Sequence, residues 1–239
     1  MDILFTNKEA IGVGEKSDFL IALAAHPKSD HGPEAYFSFE VDRLKFFFIS
    51  LKKLELDLNK LNEWSLQELN LIAPVLRSVI EGFFKNAYIY LDLDLDIQNT
   101  DGYQSKAIER FQKLERGFQK EFSKYLMGAN VLGGNFTIPS LDKEQSVVKM
   151  IDLVGYMGKV FGIDGDYSKN LIYIGYRWCC LFSHANVNPG IMDNKSREDL
   201  HLYNIVNVLE QISHFYLLII HQRCDSNEVV KKKIEELLG

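Results

Sequence analysis

Arg177 and His184 stand seven positions apart in a segment that is otherwise apolar or aromatic, from Leu171 to Ala185. Both side chains can do chemistry: a guanidinium holds anions through a fixed fork of donors, and an imidazole exchanges protons near neutral pH. A strongly basic group inside so much hydrophobic sequence must be either paired or working. Seven residues at 100° each return to within about 20° of the starting direction, so the two share one helix face, with Tyr173 on that face one turn before Arg177. They share the face without touching. Their Cα atoms lie about 10 Å apart along the axis, and helical side chains lean toward the N-terminus, away from the following turn. Joint action therefore requires a molecule spanning the gap, or a second copy of the helix packed antiparallel against the first. The alternative is structural, with Arg177 paired to Glu81 across a helix interface and His184 in the last turn, where a helix C-terminus favours the imidazolium.

A second charged pair, Arg77 and Glu81, has i, i+4 spacing among Val75, Leu76, Val79, Ile80, Phe83 and Phe84. This arrangement predicts at least partial burial and an intrahelical salt bridge that fixes the packing of its helix. Other chemistry is excluded by spacing. The Gly12 to Ser17 stretch lacks the phosphate-loop pattern, and HExxH and GxSxG are absent. Asp164 and Asp166 sit in a turn without calcium-loop spacing, Asp92, Asp94 and Asp96 read as a solvated acidic edge, and His214 and His221 lack a carboxylate at matching spacing. No metal site and no cofactor are expected.

The Arg177-to-His184 spacing, with six intervening residues on a late helix, resembles the HEPN superfamily, whose ribonuclease members carry Arg, four to six residues, then His. The resemblance implies metal-independent endoribonuclease activity at a homodimer interface, and a role as a toxin or phage-defence effector restrained by a partner such as an antitoxin. In that frame Arg177 holds the scissile phosphate, His184 acts as general base or acid, and Tyr173 orients the phosphate or stacks a base. Arg77 and Glu81 support the site. The products are a 2′,3′-cyclic phosphate and a 5′-hydroxyl. One position departs from the family pattern, because Trp178 stands where a polar residue commonly follows the Arg. Two other readings remain. In one, the chain is a non-catalytic helical protein-interaction module in which these charges form a buried polar network; in the other, they line a cleft for a nucleotide or small ligand.

The elements that must position these residues are helical by period. Glu40 to Leu58 places Val41, Leu44, Phe47, Phe48, Leu51, Leu54 and Leu56 close to i, i+3, i+4 spacing. Ser65 with Glu68 forms a capping box that opens a helix running to about Tyr90, and Pro74 inside it predicts either a kink or a later start. The alternating stretch after Tyr90 reads as the frayed end of that helix. Further helices are expected over residues 103–127, 141–157, 171–185, 196–222 and 227–238, with loops over 128–140 and 161–168, Asp166 or Ser168 capping the Arg-His helix and residues 186–190 closing it. The fold class is all-α, a single bundle of about six or seven helices over residues 37–239, preceded by an irregular N-terminal arm or cap over 1–36.

Of the 239 residues, 46% are hydrophobic and 25% charged, which places the chain among ordinary globular proteins. A net charge of −6 argues against coating nucleic acid or membrane non-specifically, though it allows a local basic pocket. Cys179, Cys180 and Cys224 fit neither a disulfide framework nor a metal pattern and predict a reducing, cytoplasmic setting. Neither a secretion signal nor a membrane span is expected.

Overall fold

The structure is a computed structural model of the full chain, and it describes residues 7–23, 32–58, 60, 64–90, 105–116, 172–180, 194–223 and 228–238. Among these residues there are seven helical segments and no strand: α1 (Asn7–Ala22), α2 (Gly32–Lys53), α3 (Leu66–Tyr90), α4 (residues 105–116), α5 (residues 172–180), α6 (Asn194–Arg223) and α7 (Glu228–Leu238). The all-α bundle expected from periodicity is therefore the fold. None of the described helices is long and apolar enough to cross a membrane. The expected frayed end after Tyr90, the helix over 141–157, both glycine-rich loops and the capping of α5 lie outside the described residues.

The long helix α6 is the axis of the bundle. Over its last five turns Ile205, Val206, Val208, Leu209, Ile212, Ser213, Phe215, Tyr216, Leu217, Ile219 and Ile220 are all buried, more than half of its circumference, while Asn207, Gln211, His214 and His221 line the remaining side. A helix with so wide an apolar arc has to be covered by others on several sides, and α1, α3, α5 and α7 supply the walls. Phe215 meets Phe83 of α3 edge-on, with centroids 5.1 Å apart, and Phe37 of α2 packs against both Tyr90 and Tyr216 at 5.6 Å. Gly175 of α5 lets that helix approach α6, since a Cβ there would stand 2.9 Å from Val208 Cγ2.

Part of the expected N-terminal arm is instead regular. Asn7–Ala22 is a helix, and α2 begins at Gly32 rather than near residue 37. The glycines that punctuate the first stretch do not stop it, because Val13 and Leu20, one heptad apart, are buried in the common core, and that burial outweighs the local cost of Gly14. Lys16, itself buried, forms an ion pair with the partly exposed Glu210 of α6, and Lys45 Nζ donates to the Leu23 carbonyl at 2.8 Å, capping the end of α1. At the start of α2, Gly32 adopts a φ of 85° and Pro33 occupies the first turn, where its missing N–H costs nothing.

The start of α3 follows its sequence signal. Ser65 N donates to Glu68 Oε2 at 2.5 Å and Glu68 N donates to Ser65 Oγ at 3.2 Å, a reciprocal capping box. The helix runs through Pro74, whose side chain lies on the exposed face. The end of α2 departs from expectation: it stops at Lys53, not Leu58. Leu56 N donates to Leu51 O at 2.9 Å and Glu55 N to Lys52 O at 3.1 Å, the double closure of a Schellman motif. Glu55 occupies the left-handed position with φ 54°, where glycine is usual. Replacement Glu55→Gly is expected to stabilise the protein by about 0.5–1 kcal/mol, seen as a higher urea midpoint at unchanged slope.

Candidate functional site

Position 77 sits on α3 between inward-facing neighbours. Leu76 and Ile80 are fully buried, and the helical period turns Arg77 and Glu81 toward the boundary with solvent. There Arg77 Nε donates to Glu81 Oε1 at 3.0 Å, the intrahelical bridge expected from the spacing. Desolvation pulls the guanidinium's pKa down, but the hydrogen bond and charge of Glu81 outweigh it and leave Arg77 above its ordinary value. The bridge is half-buried rather than enclosed.

Helix α5 crosses α3 at this pair. The Arg77 guanidinium lies 5.7 Å from the centroid of the Tyr176 ring, and Tyr173 stacks on Tyr176 at 6.1 Å with 25° between the ring planes. Burial, together with a hydrogen bond to Cys180, pushes the Tyr176 hydroxyl up to about 12, so it keeps its proton throughout the physiological range. Cys179, the residue before Cys180, is fully buried and its thiol is raised far above the ordinary value by desolvation, which makes it a packing residue and a poor nucleophile. Arg177 projects to solvent from the same helix and forms no ion pair with a described residue. Glu81 is engaged by Arg77, so the expected Arg177–Glu81 pairing is not what these residues form. His184 lies outside the described residues. Of the five residues singled out by sequence, the structure thus gathers Arg77, Glu81 and Tyr173 around Tyr176 and leaves Arg177 on the outer face.

Trp178 explains its own place in the sequence. It is 8% exposed and turns into an apolar recess with Phe47, Trp64, Ile72, Leu76 and Ile205. The residue after the Arg is apolar because that side of α5 faces the core.

A buried polar cluster beside this crossing was not anticipated from sequence. Glu40 of α2 is 2% exposed and rests against Gly82 of α3. Its Oε2 accepts no hydrogen bond among the described residues, although Arg43 Nη1 stands 3.3 Å away. Arg43 in turn donates from Nη1 to Ser78 Oγ at 2.8 Å and to Ser78 O at 3.2 Å, tying α2 to α3. Burial raises the Glu40 pKa above the ordinary carboxylate value; Arg43, a hydrogen bond from Tyr36 and the more distant Lys85 oppose this without cancelling it, and Glu81 adds to it. Burial and the nearby Glu40 also lift the Tyr36 and Tyr216 hydroxyls well above their usual range. Asn86 Nδ2 donates to Tyr216 Oη and to Gly82 O, both at 3.2 Å, and so ties α6 into the same cluster. A signal for it did exist in the sequence: position 40 falls on the apolar stripe of Phe37, Val41, Leu44 and Phe48, so its carboxyl had to be buried.

Among the described residues no group of three or more His, Cys, Asp or Glu side chains is placed to hold a metal ion. What the arrangement does provide is two helix crossings fixed by charge and aromatic contacts, with one arginine and a tyrosine stack at the surface.

Two outcomes follow from the Glu40 cluster. A carboxyl raised in the folded state binds more protons there than in the unfolded chain, so its contribution is fully present at low pH and is lost as pH rises from the ordinary glutamate value through the folded one. Urea melts at about pH 5 and pH 8 should show wild type losing stability relative to Glu40→Gln as pH rises. Gly82→Ala drives a methyl into the Glu40 carboxyl and should cost about 1–3 kcal/mol in the same assay. Comparison of the chain with protein-family models, curated proteins and solved structures gives no match, so the geometry carries the functional reading.

Proposed function

We propose that this chain is a non-catalytic helical interaction module, in which the charged residues near α5 set the packing of the bundle and its outer face docks a protein partner. The observation that carries this reading is the closed Arg77–Glu81 bridge with Tyr176 seated over the guanidinium. Two of the residues a catalytic reading would enlist are thereby occupied with each other. Around the bridge, Leu76 and Trp178 turn inward to apolar neighbours, while Ile174 and Arg177 face solvent as an apolar and basic pair suited to an acidic peptide surface.

A second reading has its own support. Arg177 is exposed next to the stacked Tyr173 and Tyr176 rings, and an arginine beside aromatic faces suits single-stranded RNA. In the HEPN-like ribonuclease scheme, Arg177 stabilises charge developing on the phosphoryl oxygens and His184 takes the 2′-hydroxyl proton or protonates the 5′-oxygen leaving group. A second copy of the helix would complete that site, and an antitoxin-like partner would restrain it.

One experiment separates the two. Wild type, Arg177→Ala and His184→Ala are incubated with mixed cellular RNA in excess EDTA, and product ends are checked for cyclic phosphate. The interaction-module reading expects no cleavage by any of the three, and a coupling of roughly 0.3–1 kcal/mol between Arg77→Ala and Glu81→Ala in a double-mutant cycle of stability. Cleavage by wild type that both single variants abolish would replace it with the ribonuclease.

A further inference from the structure

Among the described lysines only Lys16 of α1 is buried, with 6% of its surface exposed. It stands on the face that α1 turns inward, between Val13 and Leu20, and its Nζ donates to Glu210 Oε1 of α6. Among the described residues that carboxylate is its partner, and a buried ammonium without a partner is strongly unfavourable. Glu210 is engaged through one oxygen: its Oε2 is buried and accepts no hydrogen bond from a described residue.

His214 follows Glu210 by four positions, the spacing at which helical side chains meet, and the acidic member precedes the basic one, the favourable order. A helical side chain leans toward the N-terminus, which carries the imidazole toward Glu210. The residue is exposed, so protons reach it from solvent. Partial burial first, and then the charge of Lys16, hold the imidazole below its ordinary value against the pull of Glu210. The coupling is reciprocal. If Lys16 in its seat disfavours the imidazolium, the imidazolium disfavours Lys16 in its seat by the same factor. The direction follows from the depressed value: the contribution to folding is fully present above the ordinary histidine value and is lost as pH falls through the folded one.

Lys16 and Glu210 are the charges that act on His214 among the described residues; none acts from α3 or α5. Asp18 of α1 is paired with Lys52 of α2, and Glu15 faces solvent. His221, two turns further along α6, is engaged by Glu235 of α7 at 3.1 Å.

We infer that α1 is an acid-released latch: a proton taken from solvent by His214 draws Glu210 from Lys16 to the imidazolium, and the buried ammonium, left without its partner, unseats α1 from α6. The other described polar ties of α1, from Lys52 to Asp18 and from Lys45 to the Leu23 carbonyl, run to α2 and do not replace the one that is lost. The device is independent of the function proposed for α5.

Hydrogen exchange of the full chain, read by mass spectrometry at about pH 7.5 and about pH 5 with exchange times scaled for the intrinsic rate, tests it. Protection of peptides from α1 is expected to fall by about fivefold or more at the lower pH, while peptides from α3 hold theirs. His214→Gln, neutral at both values, should keep α1 protected throughout. Lys16→Met removes the charge that the imidazolium opposes and should make α1 protection independent of pH, whereas His221→Gln should leave the wild-type response intact. Protection of α1 unchanged by pH overturns the proposal. So does a loss that survives in His214→Gln, which places the proton elsewhere, or one shared equally by α3, which is global unfolding. The direction separates this device from the Glu40 cluster, whose contribution is fully present at low pH. Should Lys16→Met fail to fold, His214→Gln alone decides.

Discussion

The seating of Glu40 on Gly82 governs how the first half of this bundle is assembled. A carboxyl at the centre of a core stripe must either be excluded or be given room and polar neighbours, and here the helix it faces has no side chain at the point of contact. The absence of a Cβ at position 82 brings α2 and α3 close enough for Arg43 to reach Ser78. Asn86, one turn further along α3, spans from the Gly82 carbonyl to Tyr216. Three helices are held in one relative register by a cluster that an all-apolar core would leave free to slide.

From that register follows the face of α3 offered to α5. Once Leu76, Ile80 and Phe83 point to the core, Arg77 and Glu81 are carried to the edge, where they pair with each other and receive Tyr176. The bulk of Trp178 fixes the rotation of α5 from the other side, and Gly175 permits its approach to α6. With those two constraints met, the direction of Arg177 is no longer free: it points outward because its neighbours point in. The charged residues near α5 are thus sorted by packing into a paired, structural set and an exposed one.

Much of this was legible beforehand, wherever the determinant is local. The capping box at Ser65 and Glu68, the i, i+4 bridge at Arg77 and Glu81 and the apolar stripe of α2 are set by residues within a turn or two of each other. The end of α2 was not legible, since the residue in its left-handed position is a glutamate and the motif that closes it is made of backbone hydrogen bonds. The helix at Asn7–Ala22 was missed for a different reason: its own residues argue weakly for it, and the burial of Val13 and Leu20 among residues more than a hundred positions away supplies what they lack.

By itself, then, the sequence determined the helical class, the positions of most helices, one cap and one ion pair, because each depends on period and near-neighbour spacing that the chain carries in one dimension. Tertiary structure alone decided that Glu40 is buried against Gly82, that Lys16 pairs with Glu210, that Tyr176 rather than Arg177 meets the Arg77–Glu81 bridge, and that Phe39 and Phe46 remain in water. Those outcomes depend on which faces of distant helices meet, and a helix with two apolar sides does not announce which of them the fold will cover.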